Sequence, residues 1–254
     1  GAICIAAAPA ALSDNHASDG PPWSAGAPLE IYGCSFKEGI DGYEQSQKFA
    51  ASWNKWADDH GAFGSHVAQL MWSEFSDGQY PTEFTWLGYW DSYASAGKDM
   101  DIRSANGDEM YAEANKFLGN CAHSDWGAWV LVQAGDFTNE NHLTEFADCV
   151  YREGKNDDDL YAANVAYAKV LADRGFTGEA MGMAQLWPRA GAPAGIGNSP
   201  SFKWVIGHAN FAAYSNFTDE LWNKGLSRDF FRLYGDIVQC DSNRVYHSQV
   251  IRTP

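Results

Sequence analysis

Positive charge is scarce in this chain. Lys and Arg total 17 against 33 Asp and Glu in 254 residues, a formal charge of −16. A surface of that sign repels phosphate backbones and anionic headgroups, which excludes nucleic-acid and membrane-surface binding. Strong motifs are missing too. The histidines, His16, His60, His66, His123, His142, His208 and His247, form no HExxH pattern, and the cysteines form no CxxC pair, so no metal site is expected. No GxSxG elbow occurs, and no glycine-rich loop is followed by Lys-Ser/Thr; "RAGAPAGIGNSP" (Arg189 to Pro200) reads as a hairpin connection. These absences leave no cofactor to expect from motif alone.

Large apolar side chains, by contrast, are plentiful. The chain is 45% hydrophobic and carries 11 Trp, 12 Tyr and 14 Phe, enough to build a real core. It opens with "GAICIAAAPAALSDNHASDGPPW", whose first stretch, Gly1 to Leu12, is too short to span a bilayer. That stretch matches the apolar region of a secretory signal, with Ala8-Pro9-Ala10 as the cleavage site. Residues 1–28 are therefore read as a signal remnant and linker, and Ile3 before Cys4 is too large for a lipobox. The expected location is exported, periplasmic or extracellular, with no membrane insertion once the signal is removed.

Without Cys4, four cysteines remain: Cys34, Cys121, Cys149 and Cys240. Four cysteines permit three pairings. The near-equal intervals from Cys34 to Cys121 and from Cys149 to Cys240 favour pairing within two tandem units, in keeping with an oxidising compartment. Other landmarks recur in the same order. "EIYGCSFKEG" (Glu30 to Gly39) matches "EFADCVYREG" (Glu145 to Gly154), and a helical stretch closed by glycine follows in each half, at Gly61 and at Gly175. "AQL" then recurs at Ala68 and Ala184, and "FTWLG" at Phe84 matches "FKWVIG" at Phe202, setting Trp86 opposite Trp204. Residues 29–134 and 143–254 are thus two copies of one unit, joined by a linker at 135–142.

Periodicity within the first copy predicts a strand at Leu29 to Phe36, a helix at Gly42 to Asp59, and strands near Gly64 to Trp72 and Glu83 to Trp90. A broken helical region from Ser92 to Leu118 and a last strand at Trp126 to Val132 complete it. This is the βαββαβ order of ferredoxin-like units, in which the first and fourth strands are antiparallel neighbours, so each proposed disulfide falls where the fold can close it. The expectation is an α+β protein of two tandem ferredoxin-like repeats packed sheet to sheet as an intramolecular α/β barrel. This layout resembles the dimeric α/β-barrel superfamily, and it is similar to that of secreted tandem proteins of marine bacteria with no assigned role. The superfamily includes cofactor-independent monooxygenases, isomerases and haem-binding enzymes, so fold alone sets no function.

Candidate chemistry rests on His66 and His208, placed by the predicted strands where each could serve as a general base or haem ligand in the sheet-to-sheet space. Trp86, Trp90 and Trp204 are the expected ligand-lining rings beside them. Glu38 and Glu153, each before a glycine, are read as turn residues. The acidic "GIDGYE" and "KNDDDL" segments are read as helix starts, not calcium loops. The leading functional expectation is an exported acidic protein that binds an apolar or aromatic small molecule, or a protein neighbour, without clear catalytic machinery. The alternative is a cofactor-independent monooxygenase or isomerase using one of the two histidines as base; a haem-binding barrel is third.

Overall fold

The computed structural model describes residues 26–76, 82–132, 142–176, 178–191 and 202–254. The expected signal segment lies outside the described residues almost entirely, as do most of the linker at 135–142 and most of the Arg189–Pro200 connection. In chain order the first repeat supplies β1 (Ala27–Phe36), α1 (Gly42–Asp59), β2 (His66–Phe75), β3 (Phe84–Trp90), α2 (Tyr93–Asn106), α3 (Asp108–Phe117) and β4 (Leu118–Val132). The second supplies β5 (His142–Tyr151), α4 (Asp157–Asp173), β6 (Met181–Ala190), β7 (Phe202–His208), α5 (Phe211–Trp222), α6 (Leu226–Tyr234), β8 (Val238–Cys240) and β9 (Arg244–Arg252). The broken helical region resolves into two helices per repeat, and β4 begins well before the predicted Trp126.

The repeated Glu-Gly phrase is a turn. Gly39 and Gly154 adopt φ of 77° and 73°, a left-handed conformation that glycine enters without steric cost, and Glu38 and Glu153 point into solvent. The acidic segments that follow start helices. Asp41 accepts from the Glu44 amide at the start of α1, and Asn156 caps α4 in a reciprocal capping box with Asp159.

Within the first repeat β1 lies between β3 and β4, and β2 borders β3; the second repeats this with β5 between β7 and β9 and β6 beside β7. The short β8 extends the β9 position along the far end of β5. The two four-stranded sheets then close on each other. β2 pairs with β9, and β4 pairs with β6, all antiparallel, giving a closed eight-stranded barrel inside one chain. Each disulfide joins residues that face each other directly across a strand pair, Cys34 to Cys121 and Cys149 to Cys240, with Cα atoms 4.1 Å apart in both.

Side chains fill the barrel interior. Leu87 and Tyr89 of β3, Met71 of β2 and Trp126 of β4 meet Phe146, Leu186, Val205 and Tyr246 from the second repeat. The opposite face of each sheet packs under its own helices, and here one expectation is corrected. Trp86 and Trp90 belong to the core between the first sheet and its helices, and Trp204 to its counterpart in the second repeat; none of the three lies in the sheet-to-sheet space. The reason is visible in β3, where every residue of "FTWLGYW" is buried. A strand covered on both faces loses the apolar-polar alternation that would say which side is which.

Non-reducing peptide mapping is expected to recover Cys34 linked to Cys121 and Cys149 linked to Cys240. Loops of 87 and 91 residues place the loss on removing either pair at about 2–4 kcal/mol in chemical denaturation, below the full chain-entropy figure because the denatured chain retains structure. Crossed peptides would overturn the pairing.

Candidate functional site

A cavity of about 160 Å³ opens between the first sheet and its helices. Its walls are rings: Phe49 and Trp53 from α1, Phe84 and Trp86 from β3. Met110, Tyr111, Ala114 and Asn115 of α3 form the outer side, where Tyr111 and Asn115 reach solvent, and the Cys34–Cys121 disulfide borders it.

In the second repeat the equivalent rings are covered by other described side chains. Tyr167 stands before Gly175 as Trp53 stands before Gly61, and Trp204 follows Phe202 as Trp86 follows Phe84. On Tyr167 and Trp204 sit Phe230 and Tyr234 of α6, with centroids 4.8 to 5.8 Å apart across these contacts. The Tyr234 hydroxyl also donates to Asn164, which exchanges amide hydrogen bonds with Gln185, so the second helix layer is locked shut.

One end of the cavity is polar. Glu30 of β1 is only 3% exposed, and its Oε2 accepts from Arg103 Nη1 at 2.9 Å and pairs with His123 Nε2 at 3.0 Å. Burial would raise the carboxyl pKa, but the His123 hydrogen bond and the Arg103 charge outweigh it and hold it below the usual range. Tyr32 stacks flat on His123 at 3.8 Å. Burial pushes the Tyr32 hydroxyl pKa up, keeping it protonated.

Glu145 occupies the same position in the second repeat. There both oxygens are held by protein, Oε1 by His208 Nε2 at 2.5 Å and Oε2 by Asn243. On Glu30 both partners share Oε2, and Oε1 has no hydrogen-bond partner among the described residues.

The expected bases lie elsewhere. His66 is fully buried on the helix-facing side of β2, between Phe63, Trp53 and Trp90 at 5.0, 5.7 and 4.4 Å, and neither ring nitrogen has a partner among the described residues. It faces Gly88 so closely that a Cβ there would come within 2.3 Å of Nε2. Burial drives its pKa down to about 3, so the ring is neutral. His208 is enclosed by Tyr214 and Phe217 and tied to Glu145. Neither borders the cavity, and neither faces the barrel interior. Of the proposed ligand-lining tryptophans, Trp86 does line the cavity, Trp90 packs on His66, and Trp204 lies under Phe230 and Tyr234. Glu30, Tyr32, Arg103, Tyr111 and His123 were not singled out from sequence. The signal for Glu30 was present, because it opens the first repeated phrase as Glu145 opens the second.

A larger groove of about 250 Å³ runs along the β4–β6 seam between Tyr93 and Trp187. Arg189, the charged side chain among its described lining residues, is already engaged, over the Tyr93 ring at 4.4 Å and beside Asp125.

No protein-family model and no curated protein sequence matches the chain. Solved structures do. A "putative monooxygenase" from Lactobacillus acidophilus aligns over 89% of this chain and 95% of its own, at 13% identity and a TM-score of 0.54. Another so named, from Fusobacterium nucleatum, aligns over 89% and 93% at 10% identity and 0.56. A "putative chlorite dismutase" aligns over 88% and 94% at 7% identity and 0.50. The fold is therefore that of the dimeric α/β barrels, with both halves supplied by one polypeptide.

A haem, which the resemblance admits, does not fit these residues. The cavity falls well short of the roughly 300 Å³ at which pockets for larger ligands begin, and no histidine among the described residues lines it. Nor do the described residues hold a cluster of three or more His, Cys, Asp or Glu suited to a metal ion.

The state of His66 has a measurable consequence. Its pKa is about 3 when folded against 6.5 otherwise, so the unfolded chain takes up a proton that the folded chain refuses. Stability from this ring is intact above pH 6.5 and falls as the pH drops toward 3, by roughly 2 kcal/mol between pH 7 and pH 5. His66→Leu is expected to fold normally, since both unpaired nitrogens disappear, and to lose that part of the acid sensitivity in urea titrations at the two pH values. An unchanged pH dependence would show that the ring is solvated or paired.

Proposed function

We propose that this protein binds a small apolar or aromatic molecule in the cavity of its first repeat. One observation carries the reading: the same duplicated rings are covered by Phe230 and Tyr234 in the second repeat and border empty space in the first. Dense packing is the rule in protein interiors, and a fold that already possesses the filled version of a site keeps the open version at a cost in stability. A small molecule rather than a protein neighbour is the partner that such a space admits. Two like-folded structures carry the name "putative monooxygenase"; for a reaction of that kind this cavity would be the substrate pocket, with Glu30 rather than His66 or His208 at its inner end. The two disulfides support export to an oxidising compartment.

Filling the cavity tests the reading. In a thermal-shift panel of small aromatic and aliphatic compounds, a ligand at about a hundred times its Kd is expected to raise the wild-type Tm by about 5 °C or more. Ala114→Phe, which extends a ring into the space, is expected to fold and to lose the shift. A shift of equal size in Ala114→Phe would place the ligand elsewhere, and no response to any compound would argue against the site.

A further inference from the structure

The two carboxylates at equivalent positions differ in one respect that bears on what the cavity holds. Protein groups take both oxygens of Glu145. On Glu30, Arg103 and His123 both take Oε2, while Oε1 has no partner among the described residues and Glu30 itself lines the cavity. Glu30 is only 3% exposed, so an Oε1 without a protein donor takes one from whatever occupies the cavity.

We propose that the donor is the hydroxyl of a small neutral phenol seated in the cavity. The inference rests on the cavity being the ligand site. Size sets the first limit: about 160 Å³ is close to the roughly 150 Å³ of an engineered apolar cavity that takes up benzene, so one ring with a small substituent is the upper bound. The walls set the second. Phe49, Trp53, Phe84 and Trp86 offer ring faces and edges that suit an aromatic guest better than a branched aliphatic one. Charge sets the third. Glu30 and Arg103 already form an ion pair at 2.9 Å, so the polar end carries little net charge. An anionic guest such as benzoate would meet Glu30, and a cationic one such as benzylammonium would meet Arg103. A neutral hydroxyl meets neither penalty, and it can donate to Oε1 while accepting from the neighbouring donors.

Calorimetric titration of the wild-type protein with phenol, toluene, benzoate and benzylammonium separates the possibilities. Toluene matches phenol in size but cannot donate, and it would bury Oε1 unpaired. Phenol is expected to bind about ten-fold or more tighter than toluene, the discrimination typical of a hydroxyl bonded to a charged group, and both ions are expected to bind more weakly than phenol. Toluene binding as tightly as phenol would overturn the phenol assignment and leave the cavity as an apolar site. Either ion binding tightest would overturn it in favour of a charged ligand. Failure of all four to bind would remove the cavity reading as well. In Glu30→Gln the phenol-to-toluene preference is expected to shrink below about three-fold; a preference kept in a folded variant would refute the role of Oε1, and if the variant does not fold the wild-type ranking decides alone.

Discussion

Closure of the sheet is the constraint on which everything else depends. A ferredoxin-like sheet covered by helices on one face still exposes the other, and in this chain the two open faces cover each other. The seams β2–β9 and β4–β6 turn two four-stranded sheets into one ring without a free edge. The barrel strands are thereby covered on both faces over much of their length, and the molecule acquires three cores: the barrel interior and one helix layer on each side. The barrel interior is filled by Leu, Met, Phe, Tyr and Trp, and the ring-walled cavity lies in a helix layer instead.

This displacement explains what was and was not legible in the sequence. The duplicated phrases, the near-equal cysteine intervals and the order of helices and strands were enough to reach the tandem units, both disulfides and the barrel. Local signals at Gly39, Gly154, Asp41 and Asn156 gave the turns and helix starts correctly, because those positions answer to backbone geometry within a few residues. The facing of β2, β3 and β7 could not be read this way. With "FTWLGYW" buried throughout, no polar residue marks an outward side, and a one-residue change in phase moves Trp86 and His66 from one core to another. Arg103 and His123 were hidden for a different reason: they reach Glu30 from α2 and β4, and a contact of that range leaves no local pattern in the chain.

Duplication gives the molecule an internal control. Trp53 and Trp86 correspond to Tyr167 and Trp204, Glu30 to Glu145, and the cross-strand pair His66–Trp90 to Met181–His208. In the second repeat Phe230 and Tyr234 close over Tyr167 and Trp204, and His208 and Asn243 hold both oxygens of Glu145. In the first, among the described residues, the same framework leaves a hollow, a carboxylate oxygen without a protein donor and the His66 ring without a hydrogen-bond partner. The hollow and the half-held carboxylate mark the half in which packing was given up.

The β2–β9 seam also sets the order in which this molecule can be completed. Ala68 pairs with Arg252 and Trp72 with His247, so an edge laid down early in the first repeat waits for the second-repeat strand that comes at the far end of the fold. Arg252 reinforces the join by donating to the Phe63 carbonyl and to Asp58. Until that strand arrives, β2 presents unpaired amides and carbonyls beside an uncovered apolar face. Contacts of such sequence range make closure slow compared with helix formation, and the first repeat stays adhesive during the interval. A chain delivered across a membrane unfolded would avoid that interval on the near side and meet it only where its cysteines can oxidise, with each disulfide securing its own repeat before the ring is shut.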